Sequence, residues 1–181
     1  MRTINIRPYS QLETDRLTLR WITPNEADFV RFMRSNPRVN QFINRPDKIS
    51  LEEANNIINL RVSDHEQNKS SYWVIRSKTA DEPIGTISLW NFSEDMEKAE
   101  LGYELHPEHH GKGIMTEAIK KMLDVAFNEL GFVRVEACTH FENTPSLKMI
   151  KRIGFIHQGD LDDPGHPNNV VYQIEKNAFS Q

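Results

Sequence analysis

Hydrophobic and polar positions change period several times along this chain. Leu17, Leu19 and Trp21 alternate with Thr18 and Arg20, the period-two pattern of a half-buried strand. Thr23-Pro24-Asn25-Glu26 then combines a capping box with proline at the first helical position. The helix it opens carries Ala27, Phe29, Val30, Phe32 and Met33 towards Arg34. Ser50-Leu51-Glu52-Glu53 is a second capping box, ahead of a helix through Ala54, Ile57, Ile58 and Val62. Tyr72 to Ile75 and Ile84 to Trp90 read as strands joined by a hairpin turn from Thr79 to Pro83. A polar turn, Asn91 to Met96, leads to a third strand from Ala99 to Leu105.

Beyond a loop with two glycines the period returns to that of a helix, expected to be the longest. Met115, Ala118, Ile119, Met122, Ala126 and Leu130 form its apolar stripe, and Glu117, Lys120, Lys121, Asp124 and Asn128 its wet face. Gly131 suits the position that ends it. Val133 to Thr139 is the next strand, Thr144-Pro145 starts a short helix that Gly154 terminates, and Phe155–Gln158 and Val170–Ile174 complete the strands. Residues 1–14 are polar and read as extended or loosely packed. The order β-α-α-β-β-β-α-β-α-β-β predicts an antiparallel meander before the long helix and a parallel pair across it. The fold class is thus α/β (α+β): a mixed, mostly antiparallel sheet with helices on both faces, in one domain spanning residues 1–181.

Composition narrows the function classes. The chain has 181 residues, 38% hydrophobic and 27% charged, with a net charge of −4, and an isoelectric point near 6.0. It carries no basic excess of the kind that general nucleic-acid binders show, and a mildly acidic surface tolerates an amine-bearing substrate. The one cysteine, Cys138, excludes an intramolecular disulfide and argues against a cysteine-based zinc site. The N-terminal residues lack the apolar run of a signal peptide, and no segment approaches a membrane span, so the chain reads as cytoplasmic.

The candidate chemistry gathers around Leu101 to Lys121, LGYELHPEHHGKGIMTEAIKK. Gly111 and Gly113 let the backbone approach a bulky anion. Ile114, Met115 and Thr116 follow with the free N–H groups of a first helical turn, where the helix dipole is positive. The same glycines also suit a plain tight turn, and neither a Walker A motif nor a dinucleotide fingerprint is present. Glu100 and Glu104 sit four apart on the preceding strand and share a face. Asp160, Asp162 and Asp163 form a second acidic group. His106, His109 and His110 crowd one loop without the convergence a metal requires, so no metal is expected. His140 is a reserve base near a strand end, and Trp90, close to another strand end, is a candidate substrate contact.

The glycine loop, with Glu142-Asn143-Thr144-Pro145-Ser146 and Ile153-Gly154-Phe155 downstream, resembles the GNAT superfamily of acyl-CoA N-acyltransferases. The loop is similar to motif A of that family, with Glu108 where Gln or Arg is usual, and the later elements to motif B. Ala99-Glu100-Leu101-Gly102-Tyr103, Gly111 to Ala118 and Glu13-Thr14-Asp15-Arg16-Leu17-Thr18-Leu19-Arg20 resemble the RimJ/RimL branch. The resemblance covers about residues 12–175 and implies the GNAT fold, with acetyl-CoA as donor. Its implied donor-binding set is Leu105, His110, Gly111, Lys112, Gly113, Ile114, Met115, Thr116, Asn143 and Ser146. It further implies that the strands Ala99–Leu105 and Val133–Thr139 splay apart around the pantetheine arm.

Acetyl transfer to an amine needs a neutral amine, a polarised thioester carbonyl, a stabilised thiolate and close approach. Glu104, nearer the loop, is preferred over Glu100 as the base. Many GNAT enzymes carry a tyrosine at the position occupied here by Ile150, so the resemblance points instead to Ser146 as donor to the thiolate. Thr144-Pro145 caps the short helix, which leaves Asn143 free for the ligand. A backbone N–H of the Ala99–Leu105 strand is expected to polarise the carbonyl. The acceptor is expected to be the N-terminal amine of a ribosomal protein, with direct transfer. The alternatives are a small amine such as a polyamine, amino acid or antibiotic, or a non-catalytic acyl-CoA-binding module. The partners expected are acetyl-CoA and an amine, with neither nucleic acid nor membrane, in a monomer or homodimer.

Overall fold

The computed structural model of the protein describes residues 4–179. Eight strands form one sheet in the order β1-β2-β3-β4-β5-β6-β8-β7: β1 Gln11–Glu13, β2 Leu17–Trp21, β3 Ser71–Ser77, β4 Pro83–Trp90, β5 Lys98–Leu105, β6 Arg134–His140, β7 Ile156–His157 and β8 Asn169–Glu175. Five helices accompany them: α1 Ala27–Ser35, α2 Pro37–Asn40, α3 Leu51–Glu66, α4 Ile114–Asp124 and α5 Thr144–Ile153. Neighbouring strands pair antiparallel except β5 with β6, which is parallel as the crossover through α4 requires. Both capping boxes form. Thr23 and Glu26 exchange side-chain and backbone bonds ahead of α1, as do Ser50 and Glu53 ahead of α3.

Strand alternation divides the apolar residues between the two faces of the sheet. Trp73, Ile75, Ile87, Leu89, Ala99 and Leu101 join Met115, Ile119 and Ile150 in the larger core, against α4 and α5. Val74, one residue out of phase with Trp73, packs instead with Val30, Ala54 and Ile58 under α1 and α3. On β4 and β5 the residues directed to that second face are polar or small: Thr86, Ser88, Gly102 and Glu104. The sheet therefore has one greasy face and one that is polar in its centre.

Two expectations need correction. The N-terminal segment is not loosely packed: Ile4 and Ile6 are buried in the larger core, and β1 pairs with β2. Two isolated isoleucines and one strand leucine, Leu12, carry too little periodicity to reveal this. Residues 1–3 lie outside the described residues. Nor is the helix after the glycine loop the longest. α3 has 16 residues, whereas α4 has 11 and passes into a π-helical stretch, Val125–Glu129. Leu130 N–H there bonds Val125 C=O, and Gly131 follows with φ 75°.

The parallel pairing of β5 with β6 covers only Lys98↔Arg134, Ala99↔Val135 and Glu100↔Glu136. Beyond Glu100, β5 stays with β4 as far as Gly85↔Leu105, and β6 stays with β8 as far as His140↔Asn169. The sheet opens into a wedge between them. At its mouth Gly85 is required, because a Cβ there would lie 2.6 Å from the Glu104 carbonyl oxygen and 3.0 Å from Leu105 Cδ1. Gly85→Ala is expected to force β4 and β5 apart and to cost about 1–3 kcal/mol, measured by urea denaturation.

Candidate active site

A cleft of about 1000 Å³ runs from the glycine loop through the wedge to the α1/α3 face. At one end, Gly111 and Gly113 both adopt φ 73°. Gly113 is the left-handed N-cap of α4 and supplies no side-chain cap, so the N–H groups of Ile114, Met115 and Thr116 are left to an incoming anion. A Cβ on Gly111 would meet nothing within 4 Å, so this glycine serves its backbone conformation and leaves the loop open. Leu105, His110, Gly111, Gly113 and Ile114–Thr116 all line the cleft, whereas Lys112 does not. The Lys112 carbonyl accepts instead from Arg16 Nη1 at 3.0 Å.

That arginine ties the N-terminal strand to the loop. Arg16 Nε donates to Glu117 Oε2 at 2.6 Å, and Arg16 N–H and Thr14 Oγ1 both donate to Glu117 Oε1. Burial works against the charge on Glu117, but the hydrogen bonds from Thr14 and Arg16 hold its carboxyl below the usual range. The first turn of α4 is thereby pinned while its N–H groups stay free.

Along the wedge the edge of β5 is exposed. His106 N–H bonds Ile84 C=O on the β4 side, so by alternation the N–H groups of Tyr103 and Leu105 point the other way, into the opening. Either can polarise a carbonyl placed there. His110 Nε2 also reaches the Leu105 carbonyl, at 3.0 Å.

On the α4/α5 face Ser146 is buried, and its Oγ lies 2.7 Å from Tyr103 Oη and 3.4 Å from Thr139 Oγ1, which donates to it. Burial raises the Tyr103 hydroxyl to about 12, so it stays protonated at any working pH. With Tyr103 donating to Ser146 Oγ, the Ser146 proton is free to turn to a leaving group in the cleft. The sequence carries little signal for Tyr103 as a site residue, because an aromatic at an inward strand position reads as core. Its partner lies 43 residues away, and only the wedge brings the two together. Asn143 lines the cleft, but contrary to expectation it is not left free by a Thr144-Pro145 cap. It is itself the N-cap of α5, and its Oδ1 accepts from Ser146 N–H at 3.3 Å.

On the opposite face Glu104 lines the cleft with both oxygens engaged. Arg45 Nη1 donates to Oε1 at 2.6 Å and Nη2 to Oε2 at 3.1 Å. Arg45 is in turn held by Asn40 Oδ1 and the Met33 carbonyl. The side chains of Arg45 and Glu104 are only 9% and 16% exposed. The sequence offers no signal for Arg45, which comes from an irregular loop 59 residues before its partner. Glu100, by contrast, does not line the cleft. It is buried beside Asn91, which donates to it, and burial, opposed by that bond and reinforced by Asp163 and Glu136, raises its carboxyl. Among the acidic group after β7, Asp160, Asp162 and Asp163 line none of the cleft. Trp90 lies outside it and is exposed. His140 lines the cleft, but its Nδ1 accepts from Glu142 N–H. In the neutral ring the proton therefore sits on Nε2, a donor rather than a base.

These groups can together hold a phosphate at the helix start, polarise a carbonyl in the wedge and hydrogen-bond a leaving group beside it. Residues 16–156 match the family described as acetyltransferase (GNAT) domain, and the chain belongs to that family. It is 31% identical to the uncharacterized N-acetyltransferase YoaA of Bacillus subtilis (strain 168), over 93% of this chain and 94% of the relative. The ribosomal-protein-S5-alanine acetyltransferase from Vibrio fischeri superimposes with a TM-score of 0.77 at 23% identity, covering 94% of this chain and 99% of that one. The spermidine N-acetyltransferase from Vibrio cholerae, in complex with CoA and spermine, does so with 0.77 at 20% identity, covering 91% and 98%. The protein is a GNAT N-acetyltransferase, and acetyl-CoA is its donor. The free first-turn N–H groups and the unpaired edge of β5 fit that donor. When bound, it supplies the activated acetyl group.

Tyr103→Phe is expected to lower kcat by about 10-fold or more while the KM for acetyl-CoA stays within a factor of two. That split, read by CoA release, separates a proton donor from a packing residue. Glu100 also makes a prediction for stability. Its folded value is raised, so it contributes stability below the ordinary carboxylate range and loses that contribution as pH rises through the folded value. The advantage of Glu100→Gln over the parent in thermal melting should therefore grow from pH 4 to pH 8; a constant difference would contradict the raised carboxyl.

Proposed function

We propose that this enzyme acetylates the N-terminal α-amino group of a protein, a ribosomal protein in the first instance, by direct transfer from acetyl-CoA. The observation that carries this reading is the Arg45–Glu104 pair. Glu104 is the one carboxylate among the described residues that line the cleft, and Arg45 occupies both its oxygens. Such a site has little capacity to strip a proton from a lysine-like amine or polyamine near pKa 10.4. An α-amine, with a pKa of about 7.7–8.0, is partly neutral already at neutral pH. Glu104 keeps a lone pair on each oxygen, enough to orient the attacking amine, whose proton leaves through water. Leu105 or Tyr103 N–H polarises the acetyl carbonyl, and Ser146, backed by Tyr103, donates a hydrogen bond to the departing thiolate, which takes up a proton from water as the amine releases its own.

Direct transfer is supported by Cys138. Burial, with Glu100, Asp163 and Glu136 beside it, pushes its thiol well up, so it stays protonated and a poor nucleophile. The ribosomal assignment draws on the fold shared with the ribosomal-protein-S5-alanine acetyltransferase. The polyamine alternative draws on the spermidine enzyme of the same fold.

The test is acetylation of ribosomal-protein N-terminal peptides beside the same peptides with blocked α-amines, and beside spermidine. Acetyl should appear on the α-nitrogen by fragmentation mass spectrometry. kcat/KM should rise with pH and level off near 8, at the pKa of the amine itself. Turnover of spermidine alone, or of blocked peptides equally well, would overturn the assignment.

A further inference from the structure

The chain as a whole is acidic, with net charge −4, yet the cleft is not. Its charged lining comprises Arg34, Arg38, Arg61 and Arg152 against the single carboxylate of Glu104, already neutralised by Arg45. Arg34, half-buried at the end of α1, and Arg38, exposed on α2, have neither a side-chain hydrogen bond nor an ion pair among the described residues. Arg61, on α3, reaches Asp64 only at 3.5 Å, and its Nε is buried without a partner. Arg61 lies over the Tyr72 ring, 5.7 Å from its centroid, and Arg34 acts on the same tyrosine electrostatically.

Tyr72 fixes where these charges stand. It pairs with Ser88, which pairs with Gly102, so the arginines are level with the first row beyond the β5–β6 pairing but two strands away from the wedge. Two strand spacings are roughly 10 Å. The phosphate seat at residues 111–116 follows the far end of β5, so these arginines are not part of it. The floor between them and the wedge is kept low by Gly102, where a Cβ would lie 2.8 Å from Ser88 Oγ.

We propose that Arg34 and Arg61, with Arg38 at the rim, form an anion-binding subsite for the acceptor, which carries a carboxylate or phosphate roughly 10 Å from its reactive nitrogen. This rests on the acetyl-transfer reading of the cleft and narrows it. An extended peptide rises about 3.3 Å per residue, so acidic side chains at its second to fourth positions meet the arginines while the α-amine sits at the wedge. A polyamine would bring its second ammonium to the same cations and is rejected. Guanidinium forks suit either oxyanion.

The experiment compares kcat/KM for peptides that differ only in carrying glutamate, glutamine or lysine at positions two to four. Spermidine, glucosamine and glucosamine 6-phosphate are the further acceptors. The glutamate peptide should exceed the lysine peptide by about 10-fold or more, the size of one charge-assisted hydrogen bond, and the ratio should shrink with added salt. In the double variant Arg34→Gln/Arg61→Gln it should fall towards one. Arg34→Lys, checked for an unchanged fold by circular dichroism, should retain part of it. Equal or faster turnover of the lysine peptide or spermidine overturns the subsite, as does a ratio that survives the double variant. A flat peptide series with glucosamine 6-phosphate preferred over glucosamine assigns the anion to a phosphoryl group; it supports the subsite and strikes the N-terminal acceptor reading. If no acceptor is turned over, the N-terminal acceptor reading fails on its own. Calorimetric binding of the glutamate and lysine peptides to the CoA complex then decides the subsite, which equal affinities would overturn.

Discussion

The early end of the β5–β6 pairing is the constraint on which the site depends. Each of these strands has an antiparallel partner that holds it to its full length, β4 for one and β8 for the other. The parallel register between them covers three residue pairs and stops at Glu100↔Glu136. A fully paired sheet would bury every N–H of β5 in a ladder. The divergence leaves those of Tyr103 and Leu105 directed at a ligand, and it opens a passage from one face of the sheet to the other. The loop that follows β5, with its two left-handed glycines, then delivers a helix N-terminus to the mouth of that passage.

The passage separates the two halves of the chemistry. Strand alternation sends Tyr103 to the α4/α5 face, where it meets Ser146, and Glu104 to the α1/α3 face, where it meets Arg45. On the proposed mechanism, adjacent residues thus serve opposite ends of the reaction, the leaving thiol on one side and the incoming amine on the other. The Arg45–Glu104 pair is nearly buried, so its desolvation offsets much of its attraction and it is weak evidence for stability. Its consequence is electrostatic: it offsets the one carboxylate of the cleft lining and leaves the cations Arg34, Arg38 and Arg61 to dominate that end of the cleft.

The N-terminal stretch Glu13 to Arg20 does more than form an edge. Thr14 and Arg16 hold Glu117, and Arg16 also takes the Lys112 carbonyl. The middle of the glycine loop and the first turn of α4 are thus tied to the turn between β1 and β2 by groups that do not compete for the first-turn N–H groups. This explains why Lys112, between the two glycines, need not touch the ligand: its role is carried by its backbone.

Local chemistry was legible without the structure. The capping boxes at Thr23 and Ser50, the alternation of Leu17, Leu19 and Trp21, the glycine ends at Gly131 and Gly154, and the loop from Gly111 to Thr116 each declare themselves within a few residues, because caps, turns and periodicity are short-range. The ordered motifs fixed the family and the donor as well. What lay beyond reach were the side-chain partners brought together across the sheet. The burial of Ile4 and Ile6, the pairing of Tyr103 with Ser146 and the capture of Glu104 by Arg45 all join residues far apart in the chain. Their partners are chosen by strand register and by where the wedge opens. By itself the sequence determined most of the elements, the family and with it the acetyl donor, and a glycine loop suited to an anion. The tertiary structure alone decided which hydroxyl meets Ser146, which carboxylate lines the cleft, and the sign of the charge around it, because these depend on which side chains two diverging strands place opposite one another.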